Sequence, residues 1–160
     1  MKSKIIILII CQIIILPSVA QEHLTIKSIF DKYGKQEGSV LVQLSTDILS
    51  QGSKINFYKS LIIDDDISKE EAVLSALKSD TEGKPVIVEM KKNGKIETGT
   101  YYLGQNIATR ENDFILYKKK SGKITLVYLK GNFSPEQLDS ELKKLKDLFI
   151  YVNNKRIKLQ

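Results

Sequence analysis

The residue types that most often carry protein chemistry are scarce in this chain. Its 160 residues include one Cys, one His and no Trp. Cys11 lies inside an apolar run behind the bulky Ile9 and Ile10, where it packs as a small hydrophobe and does not resemble a lipid attachment site. His23 lies near the N-terminus with no evident neighbour to orient it, and a catalytic histidine needs such a neighbour. Structural zinc uses several Cys and His ligands, so a tetrahedral zinc site is not indicated.

One acidic cluster, Asp64-Asp65-Asp66, could hold a cation. Calcium loops place their oxygen ligands at alternate positions around a glycine, whereas these three residues are adjacent. We therefore predict that the cluster ends a strand and favours the positive end of a following helix. A weak calcium site is the alternative. Ser68 and Glu71 match a capping box, which predicts that the helix begins at Ser68.

The basic residues outnumber the acidic ones, 25 to 19, which gives a net charge of +6. The lysines and one arginine form four groups: Lys91, Lys92 and Lys95; Lys118, Lys119, Lys120 and Lys123; Lys143, Lys144 and Lys146; and Lys155, Arg156 and Lys158. Lysine is common at solvated turns and exposed sheet edges, which is our first interpretation. Attraction to an acidic envelope component, lipid or polysaccharide, is the alternative. Arginine, the residue preferred for reading bases, is rare, so nucleic-acid binding is not predicted.

No catalytic motif organises the remaining polar residues. The chain has no G-x-S-x-G elbow and no phosphate-binding G-x-x-x-x-G-K loop. Four of the tyrosines lie on the last three predicted strands, where aromatic side chains usually pack the sheet, and a ligand platform is the less favoured interpretation. These are Tyr101, Tyr102, Tyr117 and Tyr128. We therefore predict a protein that is not an enzyme, with no catalytic, cofactor-binding or metal-ligating residues and no cofactor.

The first twenty residues have the pattern of a secretory signal peptide. Lys2 and Lys4 precede an apolar run over residues 5–16, and small residues follow Pro17 up to Ala20. A membrane-spanning helix needs about 20 apolar residues, so this run is too short for a permanent anchor. We predict cleavage after Ala20 and a periplasmic or extracellular protein whose only membrane contact is through the signal peptide.

Residues 21–160 then form one predicted domain without cysteine. Its elements are a helix at Thr25–Tyr33 capped by Gly34, a strand at Ser39–Leu44, a short turn at Asp47–Ser50, a strand at Ile55–Ile63, a helix from Ser68 to about Asp80, strands at Pro85–Met90, Ile96–Leu103, Asp113–Lys119 and Lys123–Leu129, and a helix from Ser134 to about Asn153. Asn93-Gly94 and Ser121-Gly122 predict two tight hairpin turns. Strands joined by such turns run antiparallel, so the predicted fold is α+β, a mainly antiparallel sheet of about six strands packed by about three helices.

The last predicted hairpin is apolar on both faces. Phe114 and Leu116 alternate with Ile115 and Tyr117, and the partner strand has the same character. Such a hairpin should lie at the centre of the sheet or be covered on two sides. Three helices leave part of a six-stranded sheet open, and an open apolar face would bind a partner or a second copy of the chain.

Several short segments give the chain a family resemblance. They are Phe30-Asp31-Lys32-Tyr33-Gly34-Lys35, Gly38-Ser39-Val40, Tyr58-Lys59-Ser60-Leu61, Phe114-Ile115-Leu116-Tyr117 and Leu126-Val127-Tyr128-Leu129-Lys130-Gly131. With the leader, this order resembles a family of short exported Gram-negative bacterial proteins of unknown function. The resemblance implies an envelope location and carries no activity or site residues. We therefore predict a non-enzymatic binding module of the cell envelope. A carrier of a small ligand or lipid, with an apolar pocket between sheet and helices, is the alternative.

Overall fold

The computed structural model describes residues 24–49 and 52–154, with side chains placed as far as Lys146. The elements are α1 (Ile26–Tyr33), β1 (Val40–Leu44), α2 (Thr46–Leu49), β2 (Ile55–Asp64), α3 (Ile67–Thr81), β3 (Val86–Lys92), β4 (Lys95–Gln105), β5 (Asn112–Lys120), β6 (Lys123–Gly131), a 3₁₀ turn (Pro135–Gln137) and α4 (Leu138–Asn154). This order is the predicted one. The α+β class is confirmed.

The six strands form one antiparallel sheet in the order β1-β2-β6-β5-β4-β3. The hairpin β5–β6 lies at the centre, as its two apolar faces predicted. Strands β1 and β3 form the two edges. Both tight turns are confirmed, because Asn93 and Gly94 (φ 51° and 78°) and Ser121 and Gly122 (φ 54° and 71°) all have positive φ.

Helices lie on both faces of the sheet. On the first, which we call the α1/α3 face, residues of α1 and α3 pack against Leu61, Tyr101 and Ile115. On the opposite face, the α4 face, Leu138 and Leu145 pack against residues that include Phe114 and Leu129. Leu142 joins this cluster, and the side chains of Leu148 and Phe149 lie outside those that the structure describes.

The start of α3 differs from the prediction. Asp66, not Ser68, is the N-cap, and its carboxylate accepts a hydrogen bond from the backbone amide of Lys69 at 2.9 Å. The Ser68 hydroxyl instead donates to the same carboxylate at 2.8 Å. A charged carboxylate is the stronger acceptor for free amides at a helix start, so the helix begins earlier than the Ser-x-x-Glu pattern indicated. The bond from the Lys69 amide, with that from Ser68, lowers the pKa of Asp66 to about 2.

A buried carboxylate attaches α4 to the loop before β2. Glu141 accepts hydrogen bonds from the Lys54 amide (2.8 Å) and the Ser53 hydroxyl (3.2 Å), and Lys144 pairs with it at 2.8 Å. A capping box of Ser134 and Gln137 precedes this helix. Burial alone would raise the pKa of Glu141, but these three partners together hold it below its usual value.

We expect Glu141→Gln to lower the free energy of unfolding at pH 7 by about 1–3 kcal/mol, because bonds to a charged acceptor are lost. A carboxyl with a lowered pKa in the folded state stabilises the protein above its unfolded pKa, about 4.3, and this contribution disappears as the pH falls further. The difference in the free energy of unfolding between wild type and variant should therefore decrease between pH 5 and pH 3. Urea unfolding at pH 7 and pH 3.5 measures it, with the exposed Asp139→Asn as control. An equal difference at both pH values would contradict the prediction.

Candidate binding surface

Several residues singled out in the sequence lie outside the described residues. These are Cys11, His23, the whole predicted signal peptide and the terminal basic group of Lys155, Arg156 and Lys158. Their predicted roles stay predictions.

The three adjacent aspartates each have a different partner. Asp64 pairs with Lys123, Asp65 pairs with Lys119 at 3.0 Å, and Asp66 caps α3. Across residues 24–49 and 52–154, no group of His, Cys, Asp and Glu side chains has an arrangement that could hold a metal ion. The cluster therefore ends β2 and starts α3, which is the first interpretation given above.

The lysines at the two hairpin tips lie at the same end of the sheet as these acids. The register places Lys123 opposite Asp64, and Lys118 opposite Thr98 near the start of β4. Carboxylates neutralise much of this basic charge, because Lys91 also pairs with Glu89 at 2.9 Å. This arrangement weakens the argument for an acidic polymer or lipid at the hairpin tips.

A buried ion pair lies on the α1/α3 face at the same end. The carboxylate of Glu70, on α3, is buried, and Lys119 on β5 approaches it at 2.9 Å while Lys95 on β4 lies 3.6 Å away. Glu70 and Asp65 hold the pKa of Lys119 above its usual value. The nearby Tyr117 hydroxyl is buried and has no hydrogen-bond partner among the described residues, and burial raises its pKa to about 12.

This network opens onto a cavity of about 400 Å³ lined by six polar or charged residues and one apolar one. They are Glu70, Lys92, Asn93, Lys95, Ile96, Glu97 and Lys119. Acid–base catalysis needs a group whose pKa lies near the working pH. The pKa values of Lys119 and Tyr117 are both shifted away from neutrality, which suits neither group to proton transfer near pH 7, and Lys119 connects β5 to Glu70 of α3.

The least expected surface is edge strand β3, all seven residues of which are exposed. Four of them are large and apolar: Val86, Ile87, Val88 and Met90. The exposed fraction is 53% for Val86 and 63% for Met90. Sequence reasoning predicted the strand and missed its exposure. No sequence signal indicated this exposure, because the apolar run Val86-Ile87-Val88 is the pattern expected of a strand that is covered on both faces.

The main chain of β3 is also open to solvent. Glu89 is exposed as a residue although its side chain is only 24% exposed, so much of the exposed surface belongs to its backbone. The register with β4 shifts between Val86 and Val88 and again between Met90 and Lys91. Such irregularities commonly occur at sheet edges.

A cleft of about 610 Å³ lies between α3 and the β3–β4 hairpin. Its apolar lining comes from both sides: Leu74, Leu77, Val86, Ile96 and Tyr101. Its charged lining residues are Lys78, Glu82, Glu89, Lys91 and Lys95. We call this cleft, together with strand β3, the β3 groove.

Tyr101 fixes the floor of the β3 groove. Its hydroxyl donates to Glu89 at 2.6 Å, and its ring lies across Gly99, where an added Cβ would be 2.4 Å from the Tyr101 oxygen. Burial raises the pKa of Tyr101, and the bond to Glu89 acts in the same direction. Tyr102 donates to Asn112 at 2.7 Å on the other face. The tyrosines therefore pack the sheet, as predicted, and Tyr101 also lines the groove.

Three further observations bear on identity. None of the helices in the part of the chain that the structure describes has the length and apolarity that crossing a bilayer requires. No curated protein matches the sequence. A family model described as "Family of unknown function (DUF6108)" matches residues 13–142, which is most of the chain. The match confirms the predicted membership of a family of unknown function, while export and a Gram-negative origin stay predictions. The chain belongs to the DUF6108 family of unknown function.

Proposed function

We propose that this chain is a non-enzymatic binding module that recognises a protein partner through the β3 groove. The observation that carries the proposal is the row of exposed apolar residues on β3. Monomeric proteins seldom leave contiguous apolar surface open, and such patches usually mark interaction sites. Exposed edge strands are usually protected by charge or by a covering element, because they invite pairing with other chains.

The proposed location is the cell envelope, after cleavage of the leader following Ala20. The support is the charged, apolar and small-residue pattern of residues 1–20. Binding in place of catalysis is supported by Lys119 and Tyr117, whose pKa values are both shifted away from neutrality.

Site-specific photo-crosslinking in living cells tests the proposal. A photoreactive amino acid at Met90 is expected to give a discrete crosslinked product, identified by mass spectrometry. The matched control is Ile107, which is 96% exposed and lies in the loop after β4, away from β3. The Met90 product should disappear when Val88→Lys is added. Equal products from Met90 and Ile107, or none from Met90, would contradict the proposal.

The cleft itself favours a second candidate, a carrier of a small amphipathic ligand or lipid. Its volume of about 610 Å³ falls within the range of small-molecule sites, and lysines lie beside its apolar lining. Native mass spectrometry of protein purified from cells distinguishes the two candidates. A co-purifying molecule that is lost on Leu74→Glu, a change at a half-buried residue of the cleft lining, would favour the carrier.

A further inference from the structure

We propose that the leader of the uncleaved chain occupies the β3 groove, and that cleavage after Ala20 opens the groove to the partner. The occupant is the apolar run of residues 5–16, which adds to β3 as a seventh strand of the sheet. This inference rests on the proposed function and names what controls access to that site. Strand addition joins an extended segment to an exposed sheet edge through main-chain hydrogen bonds.

The start of α1 is attached to α3 close to one end of the groove. The backbone amides of Thr25 and Ile26 donate to the carboxylate of Asp80 at 2.7 Å and 2.8 Å. The next two residues of the chain, Thr81 and Glu82, line the cleft. The segment that precedes α1 therefore leaves the fold at the end of α3 where the groove begins.

The leader is long enough to reach the groove from this point. Asp80 faces α1, whereas Leu77 and Thr81 line the cleft, so the leader must pass around the end of α3. A helix with its side chains is about 10–12 Å wide. Residues 17–23 span up to about 23 Å when extended, at about 3.3 Å for each residue. The apolar run of residues 5–16 can therefore lie along β3.

The direction of approach gives antiparallel pairing. Helix α3 follows the end of β2, which the register places beside the β5–β6 hairpin tip, and α3 runs from there to the opposite end of the sheet. Strand β3 starts at that opposite end and runs back to its own hairpin turn. Leu16 would then lie nearest Val86, and Ile5 nearest Lys92. The run is thus antiparallel to β3, as are all neighbouring strands of this sheet.

The composition of the run suits this edge. Residues 5–16 include eight isoleucines and no charged residue, and β-branched side chains favour strands. Two lysines of the cleft already have acidic partners, because Lys91 pairs with Glu89 at 2.9 Å and Lys95 lies 3.6 Å from Glu70. An uncharged segment leaves these ion pairs in place while it removes the exposed apolar side chains of β3 from water.

Attachment to the same chain favours the leader over a free partner. A segment on a short linker has an effective concentration of about millimolar order. Exposed edge strands are usually protected by charge or by a covering element, and β3 is exposed along its whole length in the part of the chain that the structure describes. The leader would be the covering element of β3 until cleavage removes it.

Hydrogen exchange of the full chain, made by cell-free synthesis, tests the inference before and after cleavage by purified signal peptidase. Amides of Val86–Lys92 should exchange about tenfold or more slowly before cleavage. Amides of Val40–Leu44, on the other edge strand β1, should exchange equally in both forms. Ile9→Lys should remove the protection of β3 in the uncleaved chain, whereas Ser3→Lys adds the same charge outside the apolar run and should keep it.

Disulfide formation locates the leader directly, because Cys11 in the apolar run is the one cysteine of the chain. With Val88→Cys or Met90→Cys in the uncleaved chain, mild oxidation with copper phenanthroline should give an intramolecular disulfide to Cys11. The matched control is Val40→Cys on β1, whose side chain is 52% exposed and should give little. A non-reducing gel separates intramolecular disulfides from disulfide-linked dimers.

Four outcomes overturn the inference. They are equal exchange at β3 before and after cleavage, equal loss of protection with Ile9→Lys and Ser3→Lys, equal disulfide yields at Val40 and at the β3 positions, and disulfides found only in dimers. The last would identify a second copy as the source of the occupant. Crosslinking from Met90 in cells tests the proposed function on the cleaved chain, so leader docking and partner binding can fail independently.

Discussion

Replacing Phe114 with alanine is expected to lower the free energy of unfolding by about 3–5 kcal/mol. Phe114 is fully buried on central strand β5. Its ring stacks on Phe133 with centroids 5.2 Å apart and lies 5.4 Å from the ring of Tyr102. Truncation leaves a cavity that the central strands cannot close, because β5 is paired on both sides.

Denaturant unfolding followed by circular dichroism measures this loss. Small proteins have a free energy of unfolding of about 5–15 kcal/mol, so the variant should lose a large part of its stability. Phe114→Leu keeps most of the volume and should lose clearly less. Ile107→Ala removes an apolar side chain that is exposed and should change the stability little. Equal stability of Phe114→Ala and Ile107→Ala would contradict the proposed packing of the α4 face.

The parts of the fold that the sequence predicts well depend on local chemistry. Asn93-Gly94 and Ser121-Gly122 accept positive φ at both turn residues, so the two hairpins and their antiparallel pairing follow from these dipeptides. The central position of β5–β6 follows from side chains that are apolar on both faces. The predicted start of α3 was wrong because Ser68 and the nearby Asp66 are both suitable N-cap residues. The local sequence pattern did not show which of the two would cap the helix.

The candidate site depends on contacts between residues distant in the chain. The exposure of Val86 and Met90 follows from where α3 and α4 lie across the sheet, which strand propensity does not encode. The pairing of Glu70 with Lys119 joins α3 to β5, and neither residue stands out among the many charges of the sequence. Reading the β3 groove from sequence would have required knowing which strand is the edge.

The same ion pair determines one wall of the β3 groove. Glu70 lies on α3 about one turn before Leu74, which lines the cleft, and Lys119 connects that turn to the central strand β5. Loss of the lysine would leave a buried carboxylate with only Lys95, at 3.6 Å. Breaking a buried ion pair from one side is costly because the remaining charge is uncompensated.

We therefore expect Lys119→Met to lower the free energy of unfolding by about 2–3 kcal/mol, below the value for a fully buried pair because Lys119 is partly exposed. Adding Glu70→Gln removes the uncompensated charge, so the double variant should be more stable than Lys119→Met alone. Urea unfolding of the two single variants and the double variant gives the coupling between the side chains. Lys118→Met, at the adjacent and exposed position, should cost little. If the double variant is no more stable than Lys119→Met, the ion pair does not hold α3 on the sheet. The wall of the groove would then depend only on the apolar contacts of Val73, Ala76 and Leu77.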